Sequence, residues 1–229
     1  MLQSIWDDVR REFSFGNMIN KIIIVNVAVF LVVNIFWMIM MVSNGWPAVY
    51  PKFYEQVVDF FSGSESGWFM LTHPWTIITY MFLHEGFLHV LFNMLYLFWF
   101  GRIFGDLLGD RRVLPLYIAG GVAGFVAFFI TFNLFSLGNG SLPVLGASGA
   151  VFAILCATGS FAPDYGIRLL FFGTVRLKWI VFFAVMVEII RLGYSDNLGG
   201  TIAHIGGIVF GFLYVFYLRR GTDLTTPRQ

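Results

Sequence analysis

Residues 22–42 run without one charged side chain, close to the roughly 20 apolar residues an α-helix needs to cross the hydrocarbon core of a bilayer. Five further apolar runs follow at 88–104, 113–135, 145–161, 178–192 and 201–218, several of them shorter or more broken by glycine. A chain inside lipid must satisfy its backbone hydrogen bonds within each segment, so such runs become helices. Composition agrees: 58% of residues are hydrophobic and only 12% charged, against about 45–50% and about 25% in soluble domains. One core in a chain of this size cannot hide that much apolar surface from water, whereas lipid accepts it. The expected fold is an all-α membrane protein, a six-transmembrane-helix bundle in one domain spanning 17–220. A charged, amphipathic segment at 1–16 precedes it and a short tail at 221–229 follows.

Positive charge orients the bundle. With the N-terminus inside, six spans put Arg10, Arg11, Lys21, Arg102, Arg111, Arg112, Arg168, Arg176, Lys178, Arg219, Arg220 and Arg228 on the cytoplasmic side, leaving Lys52 and Arg191 outside. Both termini are therefore expected to be cytoplasmic. The loops at 43–72, 136–144 and 193–200 face out, the first with Trp46, Trp68 and Trp75 at the interface. No small-residue cleavage site follows the charged N-terminal segment, so the first span is expected to stay as a signal anchor. A net charge of +1 with scattered basic residues argues against nucleic acid as a partner. A single cysteine, Cys156, excludes an intrachain disulfide and a cysteine-based metal site, and its apolar surroundings suit a packing residue.

Polar side chains inside such spans are costly and usually face the bundle interior or a wet cavity. Asn26 and Asn34 share roughly one face of the first span and can hydrogen-bond to neighbouring helices. Glu188 and Arg191, three apart in the fifth, read as a local ion pair. The second span opens with His84, Glu85, His89 and Asn93. His89 and Asn93, four apart, can aim donors at one point.

The fourth span begins Gly146-Ala147-Ser148-Gly149 and the sixth begins around Ala203-His204-Ile205-Gly206-Gly207. A serine at a helix N-terminus lies beside backbone N–H groups without intrahelical partners, which can stabilise an oxyanion. Gly149, Ala153 and Ala157 form one small-residue strip, and Ala203, Gly207 and Gly211 form another. Two such strips let helices pack backbone to backbone. Pressed together, they would bring the Ser148 hydroxyl to the His204 imidazole, a base of the right strength to activate it. No carboxylate stands out as a third member, so the chemistry expected is that of a Ser–His dyad. The plainer alternative is that Ser148 and His204 are unrelated polar residues at helix interfaces.

His84…His89-x-x-x-Asn93, Gly146-Ala147-Ser148-Gly149 and Ala203-His204-Ile205-Gly206-Gly207-x-x-x-Gly211, in that order on the second, fourth and sixth spans, resemble the rhomboid family of intramembrane serine proteases. The resemblance implies Ser148 as nucleophile and His204 as general base. It implies an oxyanion site made by His89, Asn93 and the Ser148 backbone N–H, with Gly149, Ala153, Phe152, Gly207 and Gly211 supporting the helix packing. It further implies single-span membrane proteins as substrates, the lipid bilayer as surroundings, and neither metal nor cofactor. The first outer loop resembles the family's half-submerged hairpin, and the fifth span its substrate gate. Two departures stand out. Trp75 is followed by Thr76 where many members carry Arg, which puts the anchoring of that loop in question. Phe152 stands where many carry a Tyr stacked on the catalytic histidine.

Chemistry on these residues needs water, so a hydrated cavity open to the outer side is expected, with the substrate helix unwound at the scissile bond. A catalytically silent adaptor with the same fold is the chief alternative. A small transporter would show inverted repeats and intramembrane carboxylates, and Glu188 is the one candidate for the latter. A short chain without a transit peptide suits a bacterial inner membrane.

Overall fold

The computed structural model describes residues 2–44, 56, 59–137, 143–169, 173–194 and 197–225. Trp46, Lys52 and Arg228 lie outside them, as do residues 138–142 and 195–196 of the loops expected to face out. Seven long helices account for most of what is described: α1 (Leu2–Phe15), α2 (Met18–Asn44), α3 (Phe87–Leu108), α4 (Val113–Leu134), α5 (Ser148–Phe161), α6 (Leu177–Tyr194) and α7 (Leu198–Arg219). α2, α3, α4 and α7 are each long and apolar enough to cross a bilayer. α5 has 14 residues and is shorter than a full span. α6 has 18 but carries Lys178, Glu188 and Arg191.

The helices begin and end where local chemistry dictates. The apolar run at 145–161 becomes helical only from Ser148, the residue expected at a helix N-terminus. Gly146 sits at φ +116, a left-handed conformation that glycine tolerates and that cannot continue a helix. Asn197 caps α7 by accepting from the Gly200 N–H (2.8 Å). Gly109 closes α3 at φ +96. In α1, Trp6, Val9 and Phe13 share one side at helical spacing and all are exposed, while Asp8 and Arg11 pair across the surface (2.9 Å).

α5 is the centre of the bundle. Its residues from Gly149 to Gly159, except Phe152, are buried. α4 and α7 close on it where small residues leave room. A Cβ on Gly207 would land on the Gly149 carbonyl oxygen, and one on Gly211 on that of Ala153. Gly120 of α4 faces Ala153 equally closely. The two strips therefore meet backbone to backbone, held by dispersion and close fit because lipid supplies no hydrophobic force between helices. Asn26 of α2 donates to the Ile22 carbonyl (2.9 Å) and to Tyr117 of α4 (3.3 Å), while Asn34 bonds its own helix at Phe30 (2.8 Å). Cys156 is fully buried with a free thiol.

The two ends of the bundle differ. At one end Asp110, in the turn between α3 and α4, accepts from the Met18 N–H at the start of α2 (2.9 Å). Arg112 pairs with Asp223 of the tail (2.7 Å), and Arg219 donates to the Ser160 carbonyl (2.8 Å). A hairpin of β3 (Gly166–Leu169) and β4 (Gly173–Arg176) lies there too, with Asp164 bridging Lys178 (2.7 Å) and Arg176 (3.3 Å). These cations hold the exposed Asp164 carboxyl below the usual carboxylate range, the Lys178 hydrogen bond contributing most. At the other end, two short strands, β1 (Gly63–Ser64) and β2 (Pro143–Val144), pair antiparallel with Gly63 opposite Val144. They stitch the loop after α2 to the segment entering α5. Trp75 Nε1 donates to the Phe60 carbonyl (2.8 Å) and Thr79 to that of Phe61 (2.7 Å), while Thr76 is buried with its hydroxyl on the His73 carbonyl (2.7 Å). That loop is thus anchored without an arginine at position 76.

Candidate active site

Ser148 is the first residue of α5, directly after the sharp bend at Gly146. The bend is fixed by the Gly146 N–H, which donates to the Tyr80 carbonyl (2.9 Å), while the Tyr80 hydroxyl donates to the Gly121 carbonyl of α4 (2.6 Å). Tyr80 is buried under the site and was missed in the sequence, where it is one aromatic among many. The N–H groups of Ser148 and its successors belong to the first helical turn and have no intrahelical acceptor.

His204 lies in the second turn of α7. Its Nε2 is 2.6 Å from Ser148 Oγ, and its ring stacks on Phe152 with centroids 4.8 Å apart at 29°. Phe152 needs no hydroxyl to make this contact. Two residues at opposite ends of a 56-residue separation thus meet because Gly207, one turn further along α7, lets that helix settle against Gly149.

The other imidazole nitrogen also has a partner. Nδ1 lies 2.8 Å from Oε2 of Glu188, a buried residue of α6, and Glu188 Oε1 accepts from Arg191 Nη1 (3.2 Å). The local ion pair expected between Glu188 and Arg191 is present, and it is half of the arrangement. Periodicity within α6 reveals the i,i+3 pair. That the carboxylate's second oxygen reaches another helix depends on how α6 and α7 are placed, which spacing along the chain does not specify. A carboxylate only accepts, so the tautomer satisfying every contact has the proton on Nδ1 and the Nε2 lone pair toward the serine hydroxyl.

His89 lies beside this pair, with Asn93 one turn on along α3. A Cβ on Gly146 would come within 2.8 Å of His89 Nε2 and 3.7 Å of Ser148 Oγ, so imidazole and hydroxyl flank the same glycine. Asn93 is buried and turns one amide N–H to the His89 carbonyl (2.9 Å), leaving its second free to point elsewhere. His84 is buried with its ring 5.0 Å from that of His89, and neither of its nitrogens meets a hydrogen-bond partner among the described residues. Glu85 is exposed. Among the described residues, no group of His, Cys, Asp or Glu is arranged to hold a metal ion.

Comparison with known proteins matches these elements as a set. Residues 71–221 match the family described as "Rhomboid domain". Rhomboid protein 1, mitochondrial, of Saccharomyces cerevisiae is 30% identical over 171 residues, covering 69% of this chain and 46% of that protein. Rhomboid protease GluP of Bacillus subtilis is 35% identical over 144 residues, covering 60% of this chain and 25% of its own. Rhomboid protease GlpG of Yersinia pseudotuberculosis is 32% identical over 158 residues, with 66% and 50% covered. The chain spans half or less of the length of these curated relatives. The family match runs from the anchored loop before α3 to the end of α7 and takes in every residue of the serine–histidine cluster, and the chain is an integral membrane protein that belongs to the rhomboid family.

Proposed function

We propose that this chain is an intramembrane serine endopeptidase that cleaves single-span membrane proteins near the outer face of the bilayer. The observation that carries the reading is Ser148 Oγ at 2.6 Å from His204 Nε2, at the mouth of a helix whose first N–H groups are free. In the proposed reaction His204 takes the Ser148 proton as Oγ attacks the scissile carbonyl carbon. The imidazolium then returns that proton to the leaving amine, and water hydrolyses the acyl-enzyme by the same route. The oxyanion is received by the Ser148 N–H, the free amide N–H of Asn93 and His89. The buried His84 ring, with neither nitrogen partnered by protein, favours a hydrated cavity here, since buried polar groups unmatched by protein are ordinarily matched by water.

Six spans with both termini cytoplasmic complete the proposal, α5 and α6 joining the four longer helices. Supporting it, Arg112, Arg176, Lys178 and Arg219 gather at the end of the bundle away from Ser148. A bacterial cytoplasmic membrane is the proposed location, although relatives named as mitochondrial occur beside bacterial ones. The test is labelling of the reconstituted chain with a fluorophosphonate probe. The wild type should label and Ser148→Ala should not, while staying folded and inserted. A wild-type chain that ignores the probe is the outcome a silent adaptor would give.

A further inference from the structure

From the hydrogen bonds around His204 we infer that Glu188, charge-balanced by Arg191, is a positioning residue that turns the serine–histidine pair into a Ser148–His204–Glu188 relay assembled from three helices. The inference rests on the peptidase reading above. Its observations are the 2.8 Å contact between His204 Nδ1 and Glu188 Oε2, the 3.2 Å contact between Glu188 Oε1 and Arg191, and the burial of the carboxylate. Each carboxylate oxygen has its own partner, on different sides.

A carboxylate among apolar helices is expensive unless paired and hydrogen-bonded. Glu188 is the one buried polar residue of α6; its exposed neighbours are Phe182, Phe183, Val187, Ile189 and Ile190. An ion pair with Arg191 alone needs no buried position, since the Arg191 side chain is itself only half-buried and both groups could sit at the surface. The inward placement is explained by the imidazole. The carboxylate holds the Nδ1–H tautomer, keeps Nε2 free to accept from Ser148, and stabilises the imidazolium while it carries the serine proton. No additional proton moves: the one leaving Oγ resides on Nε2 until the leaving amine takes it, and Nδ1 keeps its own throughout.

Arg191 makes the arrangement directional. In Glu188→Gln the amide oxygen turns to the guanidinium, a pure donor, so the amide NH2 faces Nδ1. Nδ1 must then accept, the ring proton shifts to Nε2, and His204 presents a donor to the serine it should deprotonate. Wrong-tautomer substitutions of this kind lower catalysis in soluble serine hydrolases by about 10⁴-fold. Here Phe152 stacking and the α5–α7 fit also hold the ring, so a loss of about 10²-fold or more is expected.

The titratable groups facing His204 are Glu188 from α6, Ser148 from α5 and His89 from α3, with Arg191 behind the carboxylate. The experiment uses the full chain in phosphatidylethanolamine–phosphatidylglycerol vesicles. It measures the rate of Ser148 labelling by a fluorophosphonate across pH for wild type, Glu188→Gln and Glu188→Asp, with thermal melting of each. In parallel, ¹⁵N-histidine NMR reads the His204 tautomer, identified by its loss in His204→Gln. Expected are an Nδ1–H imidazole in the wild type and an Nε2–H imidazole with a labelling rate at least about 10²-fold lower in Glu188→Gln. Partial recovery of the rate is expected in Glu188→Asp. Wild-type labelling in Glu188→Gln, or a slowed variant with unchanged tautomer and a lowered melting temperature, overturns the inference while leaving the peptidase reading intact. A wild-type chain that does not label overturns both.

Discussion

Single side chains at this site differ in how far their neighbours in sequence betray them. Ser148 and His204 are conspicuous because glycines and alanines surround them, and small residues beside a polar one in a span signal close helix approach. Glu188 is not conspicuous, because Arg191 three residues on supplies a sufficient local account of it. A pairing within one helix can be read from periodicity, but the 2.8 Å contact to His204 comes from a second helix. Asn93 stands between these cases. Its side chain already bonds the His89 carbonyl, so the oxyanion role proposed for it rests on the remaining N–H. Asn93→Ala should lower kcat for a transmembrane-segment reporter by an amount equivalent to about 3–4 kcal/mol, with little change in KM, since the donor acts only as charge develops. An equal loss expressed wholly in KM would place Asn93 in substrate binding instead.

Helix positions were legible from the apolar runs to within a few residues, the helix N-terminus at Ser148 included, and that start has a specific cause. Gly146 and Ala147 are apolar and merge with the span that follows, but a glycine at φ +116 ends one conformation and begins another. The helix is thereby obliged to start on Ser148, with its first N–H groups open. Packing of α5 against α7 was likewise visible as two small-residue strips, and its tightness has a consequence for stability. Gly207→Leu would drive a side chain into the Gly149 backbone, which cannot yield as a flexible side chain would. It should cost about 3 kcal/mol or more in detergent unfolding and separate Ser148 from His204. Val209→Leu, two residues along on an exposed face, should stay within about 0.5 kcal/mol.

Across the whole molecule, the serine–histidine cluster and the tethered tail occupy opposite ends. The serine–histidine cluster lies beside the β1–β2 ribbon, whereas the tail is tied down far from it through Arg112 and Asp223, with Tyr214 near Thr225 (3.4 Å). Asp223→Asn should therefore lower stability by about 1 kcal/mol and leave the rate of Ser148 labelling unchanged when both chains are compared well below their melting temperatures. Arg112, Arg176, Lys178 and Arg219 mark the same division, all lying at the end where the tail is held.

The shortness of α5 sets a depth. At about 1.5 Å per residue, its 14 residues reach roughly 21 Å through a hydrocarbon layer of about 30 Å. A helix with its far end at one surface then stops roughly 9 Å beneath the other, and Ser148 is its first residue. On the peptidase reading, the length of α5 works as a ruler: it would fix the level in the bilayer at which a substrate helix is cut. One added turn would raise that level by about 5 Å, and the cleavage point would move along the substrate by the same amount.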